Sequence, residues 1–241
     1  MEKILEAVEI ETGKNPAASV IWMHGLGADG NDFVPIVNEL NLAGTPPTRF
    51  IFPHAPMRPV TINNGFVMRA WYDVSFGDLE GKSRRADAVG VHESQEQINA
   101  LVEREAKRGI AAGNVVLAGF SQGGAVALQT GLRYPEKLAG VMALSTYLPL
   151  ADTLPQEAAA ANKPTPVFMA HGIYDPVVPL MMGTGSMTFL AGLGYLVEWK
   201  QYPMQHSVCA EEIEDIGEWL RRVLRQQDGG KEKGEGGSPS P

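Results

Sequence analysis

Short apolar runs alternate with longer amphipathic stretches along most of this 241-residue chain. This alternation limits the fold more than any other feature, because strands that are buried on both faces must be joined by helices that cover those faces. Six apolar runs bounded by turn residues predict such strands, at 20–23, 50–52, 115–118, 140–144, 167–170 and 196–199. Residues 5–10 alternate polar and apolar side chains and predict an edge strand.

Helical periodicity appears in three stretches, 85–108, 122–134 and 211–225. Together with the strands they predict an α/β fold with a mostly parallel sheet and helices on both faces. The length and a hydrophobic content of 44% fit one globular domain over residues 1–226. Residues 227–241 hold no apolar side chain that could offset the entropy of ordering, so we expect a disordered tail rich in Gly, Ser, Pro, Lys and Glu.

The net charge, the cysteine content and the apolar runs limit which partners, cross-links and locations are compatible with this chain. The net charge of −8 opposes binding to a phosphate backbone, so we expect no nucleic-acid partner. The single cysteine, Cys209, excludes an intrachain disulfide and a thiolate metal cage, and we expect it to be a packed side chain. We find neither a signal peptide nor a run of about 18 apolar residues, which predicts a cytoplasmic protein without stable membrane insertion. Both a monomer and a homodimer are compatible with the sequence.

The pentapeptide Gly119-Phe120-Ser121-Gln122-Gly123 matches G-x-S-x-G between a predicted strand and a predicted helix. That context is typical of a nucleophile elbow, in which a strained turn projects the serine hydroxyl above the sheet. A glycine-rich turn in which Ser121 only caps the helix is the alternative. We therefore interpret Ser121 as a candidate nucleophile whose partners should come later in the chain.

A base and an acid follow the serine in the order expected for this arrangement. His206 lies between the last strand and the last helix, so it should reach the same sheet edge as Ser121. Asp175 follows the strand at 167–170 and is the preferred orienting acid, and Asp152 is a weaker alternative. Ser121, Asp175 and His206 are therefore the predicted catalytic residues.

The loop His24-Gly25-Leu26-Gly27-Ala28-Asp29-Gly30 follows the strand at 20–23. We expect the main-chain N–H groups of Leu26 and Gln122 to form an oxyanion hole there. Residues 25–30 of this loop also match G-x-G-x-x-G. No acidic residue ends the following strand, however, which disfavours a dinucleotide-binding site.

The stretch 53–82 fits neither period and predicts an ordered loop over the active-site side of the sheet. It contains Phe66, Met68, Trp71-Tyr72-Asp73 and Phe76, which would form either an acyl-binding wall or core beneath a loop. We expect Leu26, Met68, Trp71 and Leu180 to contact substrate.

With these motifs in place, the chain resembles the acyl-protein thioesterase/carboxylesterase family, and among its members the small bacterial carboxylesterases. The resemblance extends over about residues 20–224. It implies an α/β-hydrolase without a large cap domain, free of cofactors and metals, that acts on carboxylic esters and acyl thioesters through the triad Ser121, Asp175 and His206. One departure is Gln205, where the family usually has a small residue before the histidine. If that position needs positive φ, Gln205 would be strained.

Three functions follow as alternatives. A serine carboxylesterase that forms an acyl-enzyme on Ser121 is the main expectation, with acyl esters or thioesters as substrates. A protein S-depalmitoylating thioesterase, which would act on acylated proteins, shares the same catalytic residues. A non-catalytic binding module on the same fold is the third.

Overall fold

The computed structural model describes residues 4–75 and 87–225. Its main sheet has seven strands: β1 (Ala7–Glu11), β2 (Ala18–Met23), β3 (Thr48–Pro53), β6 (Val115–Phe120), β7 (Gly140–Leu144), β8 (Val167–Gly172) and β9 (Val197–Tyr202). They lie in the order β1-β3-β2-β6-β7-β8-β9. All neighbours pair parallel except β1, which runs antiparallel to β3 at one edge. The predicted fold class and edge strand are therefore confirmed.

Helices cover both faces of this sheet because alternate residues of each buried strand point to opposite sides. The helices are α1 (Ile36–Glu39), α2 (Ala88–Lys107), α3 (Gln122–Arg133), α4 (Leu154–Glu157), α5 (Leu180–Gly192) and α6 (Ala210–Arg225). Ile21 packs in the core with α2 and α3, whereas Trp22 packs in the opposite core with α1 and α6. Single 3₁₀ turns occupy Thr61–Asn63, Ala112–Asn114 and Ala160–Asn162.

Two features differ from the predicted elements. Helix α5 was not predicted, because three glycines and a nearly uniform apolar composition hide its period. Within the stretch 53–82, a short antiparallel hairpin of β4 (Met57–Val60) and β5 (Phe66–Arg69) stands apart from the main sheet. Strands of four residues are too short to show alternation. Residues 76–82 of that stretch, which include Phe76, and the tail at 227–241 lie outside the described residues.

The connections between strands in residues 4–75 and 87–225 contain only these helices, the hairpin and loops, with no cap domain inserted. Cys209 is half-buried and packs against the core beneath α6. Throughout the part of the chain that is described, no helix is both long enough and apolar enough to cross a bilayer.

Candidate active site

The candidate residues follow the carboxyl ends of neighbouring strands. Leu26 follows β2, Ser121 follows β6, and Asp175 and His206 follow β8 and β9. Because these strands are parallel, their carboxyl ends meet at one edge of the sheet, where open α/β folds bind ligands. The sheet order thus brings together residues that are far apart in sequence.

Ser121 occupies the tight turn between β6 and α3. Its φ of 54° and ψ of −122° are unusual for a residue with a side chain, and its N–H donates to the Leu144 carbonyl at 2.8 Å. A Cβ atom at Gly123 would lie 2.3 Å from the Met23 carbonyl oxygen. Gly119 is similarly restricted, by the Gly123 carbonyl oxygen at 2.2 Å. The two glycines of the motif therefore allow β2, β6 and α3 to approach closely enough to hold the strained serine.

His206 lies between Ser121 and Asp175. Its Nε2 is 2.9 Å from the Ser121 Oγ, and its Nδ1 is 2.7 Å from the Asp175 Oδ2. An ionised carboxylate only accepts hydrogen bonds, so Nδ1–H donates to it and Nε2 is left to accept the serine proton. This is the geometry of a nucleophile, a general base and an orienting acid.

Asp175 is held by the backbone that follows it. Its Oδ1 accepts the N–H groups of Val177 and Val178 at 2.8 and 2.9 Å, and its side chain is fully buried. These bonds aim Oδ2 at His206. Asp152, the alternative acid, is exposed in the segment before α4.

A second histidine lies behind the carboxylate. His171, on β8, has Nε2 at 2.9 Å from the Val178 carbonyl and 3.5 Å from the Asp175 Oδ2. Burial lowers the pKa of His171, so the ring is neutral near pH 7. It therefore packs beside the acid without adding a positive charge.

The loop after β2 and the first turn of α3 supply main-chain N–H groups next to Ser121. The Gly27 N–H donates to the Arg69 carbonyl at 2.9 Å, and the Ala28 N–H donates to the Gly25 carbonyl at 3.3 Å. Within residues 4–75 and 87–225, no protein acceptor is bonded to the N–H of Leu26 or Gln122. Both groups are thus available to an oxyanion.

A cavity of about 200 Å³ adjoins Ser121. Most of its wall is apolar, and it is lined by Leu26, Ile62, Asn63, Tyr72, Val74, Ser121, Gln122, Tyr147, Val177 and Val178. Because Ser121 is itself a lining residue, an acyl chain placed in the cavity would lie beside the nucleophile.

Of the four residues expected to contact substrate, only Leu26 lines this cavity. Trp71 requires a correction, because its indole is fully buried and its Nε1 donates to the His24 carbonyl at 2.9 Å. Met68 lies on β5, with its sulfur 3.2 Å from the Asn63 amide nitrogen. Leu180 is half-buried at the start of α5. Phe66, on the hairpin, is 68% exposed rather than part of a wall.

Residues 71–73 form hydrogen bonds that hold the segments around the cavity in place. The Trp71 N–H donates to the Gln122 Oε1 at 2.8 Å, and the Gln122 Nε2 donates to the Tyr72 carbonyl at 2.6 Å. Asp73 accepts the N–H and the hydroxyl of Thr61, which begins the turn that carries Ile62. Sequence reasoning missed the side-chain role of Gln122 and the lining residues Ile62 and Tyr147, because no motif or period marks them.

Gln205 does not have the positive φ that would strain a residue with a side chain directly before His206. It is absent from the residues with positive φ, and its side chain is exposed. A glycine is instead required at Gly172, the last residue of β8, where a Cβ atom would lie 2.4 Å from the Gln205 carbonyl oxygen. In the described part of the chain, no cluster of His, Cys, Asp or Glu could hold a metal ion.

Comparison with known proteins identifies the family of this chain. Residues 5–224 match the family described as Phospholipase/Carboxylesterase. Acyl-protein thioesterase 1 of Gibberella zeae is 40% identical over 213 residues, which cover 86% of this chain and 91% of that protein.

Solved structures of similar proteins have the same fold. The crystal structure of Arabidopsis thaliana SOBER1 superposes with a TM-score of 0.79 at 32% identity, covering 86% of this chain and 99% of that one. Zea mays acyl-protein thioesterase 2 superposes with a TM-score of 0.77 at 27% identity, covering 91% and 100%. The family expected from the motifs is thereby confirmed: this chain belongs to the phospholipase/carboxylesterase family of α/β-hydrolases.

Proposed function

We propose that the protein is a serine hydrolase that cleaves carboxylic esters, and acyl thioesters of similar size, through an acyl-enzyme on Ser121. The observation that carries this proposal is the continuous hydrogen-bonded series from Asp175 through His206 to Ser121 beside an apolar cavity. Membership of the family supports the same chemistry.

The reaction proceeds in two acyl transfers. His206 Nε2 takes the Ser121 proton as Oγ attacks the acyl carbonyl carbon, and the N–H groups of Leu26 and Gln122 stabilise the oxyanion. His206 then protonates the leaving alcohol or thiol. Water, deprotonated by the same nitrogen, attacks the acyl-enzyme and releases the acid. Asp175 orients the imidazole and stabilises its cationic form. None of these steps uses a cofactor.

The size of the cavity favours short acyl chains. Ligand pockets are usually about 300–1,000 Å³, whereas this one is about 200 Å³. Carboxylesterase activity on short esters is therefore the main proposal. Removal of long acyl chains from proteins is the second candidate, favoured by relatives named acyl-protein thioesterase. We place the reaction in the cytoplasm, because a lone cysteine suits a reducing compartment.

The test is kcat/KM on matched oxygen esters and thioesters with acyl chains from C4 to C16, with Ser121→Ala as the control. We expect the highest kcat/KM on short chains and no turnover above background by the variant. A rise toward long-chain thioesters would instead identify the depalmitoylating activity. If no substrate shows Ser121-dependent turnover and a fluorophosphonate fails to label Ser121, the protein is a binding module.

A further inference from the structure

The buried ring of His24 contacts the same loop that supplies the oxyanion donor. Its Nδ1 lies 2.7 Å from the carbonyl oxygen of Gly25, and its Nε2 accepts the N–H of Ala55 at 3.1 Å. Only 2% of the residue is exposed. The catalytic steps described above do not use this ring.

The two hydrogen bonds together fix which nitrogen carries the proton. A main-chain N–H can only donate, so Nε2 must be the unprotonated acceptor. The Gly25 carbonyl can only accept, so Nδ1 must carry the hydrogen. Burial also lowers the pKa of His24 to about 4, which keeps the ring neutral at the pH of cells. His24 is therefore a neutral imidazole with a single possible tautomer.

The Gly25 carbonyl and the Leu26 N–H belong to the same peptide unit. In a trans peptide these two groups point in opposite directions, so whatever holds the carbonyl also aims the N–H. The Ala28 N–H contacts the same carbonyl oxygen at 3.3 Å, a longer bond than the 2.7 Å bond from His24. The imidazole is thus the stronger of the two donors that set this peptide plane.

The main-chain carbonyl of His24 is also held. The His24 carbonyl accepts the Trp71 indole N–H at 2.9 Å, and the Trp71 N–H is bonded to the side chain of Gln122. The peptide unit directly before the one that presents the Leu26 N–H is therefore connected by buried hydrogen bonds, through Trp71, to Gln122, which supplies the second donor. Such connections hold donors in place before charge develops.

We infer that His24 is a positioning residue for ester hydrolysis, which acts by donating from Nδ1 to the Gly25 carbonyl and so aims the Leu26 N–H at the oxyanion. This inference rests on the proposed function and adds a residue to it. A substitution that removes the Nδ1 donor should lower kcat and leave KM nearly unchanged, because the oxyanion exists only in the transition state.

Two substitutions distinguish the role of Nδ1 from that of Nε2. In His24→Asn the side-chain amide can replace Nδ1 as the donor, whereas in His24→Gln the amide reaches the position of Nε2 and leaves the Gly25 carbonyl without this donor. We expect kcat to fall about 10–100-fold in His24→Gln and less than about fivefold in His24→Asn, as part of the ~10²–10³ assigned to an oxyanion donor. His54→Gln is the matched control, because His54 accepts the Gly30 N–H and does not contact Gly25. Its kcat should change less than about twofold.

A double-mutant cycle tests whether His24 affects catalysis through the Leu26 N–H. Residues 25–28 form a turn with positive φ at Gly27, in which proline is tolerated at position 26. Leu26→Pro removes the N–H itself, so adding His24→Gln to it should cost no further kcat/KM. The affinity for a trifluoromethyl ketone, which forms a tetrahedral adduct on Ser121, should fall in parallel with kcat/KM. Fully additive losses, or equal losses of kcat in His24→Gln and His24→Asn, would overturn the inference.

A measurement on the wild-type protein does not depend on any variant folding. The ¹⁵N shifts of the His24 ring should report a protonated Nδ1 and an unprotonated Nε2 from pH 6 to pH 9. The opposite tautomer would refute the inference even if hydrolysis were normal. Absence of Ser121-dependent hydrolysis with the expected tautomer would instead count against the proposed function.

Discussion

The side chain of Gln122 bonds to the main chain at Trp71 and Tyr72 on both of its polar atoms. Oε1 accepts the Trp71 N–H and Nε2 donates to the Tyr72 carbonyl, and the residue is 4% exposed. The same residue offers its main-chain N–H toward the oxyanion position. One residue therefore contributes to the proposed oxyanion hole with its backbone and holds the wall of the cavity with its side chain.

Gln122→Met should destabilise the fold and weaken substrate binding. The change removes the hydrogen bonds of Gln122 to two buried main-chain groups, at about 1–3 kcal/mol each, so we expect a loss of roughly 2–6 kcal/mol in the free energy of unfolding. Because Tyr72 lines the cavity, KM should rise more than kcat falls. Urea denaturation and steady-state kinetics measure these effects. Gln129→Met is the control, since Gln129 is buried in the same helix but its side chain donates to the Gln95 side chain rather than to a main-chain group of the site. Equal effects in both variants would contradict the role of Gln122.

Asp175→Asn should leave the fold intact and nearly abolish turnover. An amide can donate to His206 Nδ1 and stabilise the wrong tautomer, which is expected to lower kcat about 10³–10⁴-fold. Asp152→Asn should alter kcat less than about twofold, because Asp152 is exposed and does not belong to the hydrogen-bonded series from Asp175 through His206 to Ser121. Comparable losses in the two variants would mean that the acid has been assigned to the wrong residue.

The contribution of His24 to stability should fall in acid. Burial lowers its folded pKa to about 4 from 6.5, so the unfolded chain binds the proton more tightly. The contribution is complete above pH 6.5 and is lost as the pH falls toward 4. The difference amounts to about 3 kcal/mol. Denaturation of wild type and His24→Asn between pH 7.5 and 4 should show the gap between their unfolding free energies narrowing or reversing in acid. A constant gap would show that His24 does not titrate this way.

Glu212 should have the opposite dependence on pH. This carboxyl lies in the first turn of α6 with no exposed surface, and burial raises its pKa to about 8. The folded state therefore binds its proton more tightly than the unfolded chain. Its contribution to stability is complete below pH 4.5 and is lost as the pH rises toward 8.

Glu212→Gln should remove this dependence, because the amide stays neutral. We expect the variant to gain on the order of a few kcal/mol relative to wild type between pH 5 and pH 9, measured by denaturant unfolding. Glu214→Gln, at an exposed position of the same helix, is the control and should show no such gain. Parallel pH profiles for wild type and Glu212→Gln would contradict the prediction.

The nucleophile elbow shows why part of this site could be read from the chain. A strand, a tight turn and a helix are local, so Gly119, Ser121 and Gly123 carry their own signal. Asp175 and His206 could be chosen because each follows a predicted strand, and parallel strands end at one edge. The cavity has no comparable signal. Ile62 lies in a turn fixed by Asp73, and Tyr147 follows a strand without any motif.

The sequence by itself determined the seven strands of the main sheet, the helices α2, α3 and α6 that cover it, the two-sided burial of the sheet, and the family with its catalytic motifs. These follow from periodicity and local turn chemistry, which act over a few residues. The tertiary structure decided that Trp71 packs in the interior while Tyr72 lines the cavity, that Gln205 needs no positive φ, and that the His24 ring holds the Gly25 carbonyl. Each of these depends on which buried polar group lies opposite another, and that pairing exists only after distant segments have packed together.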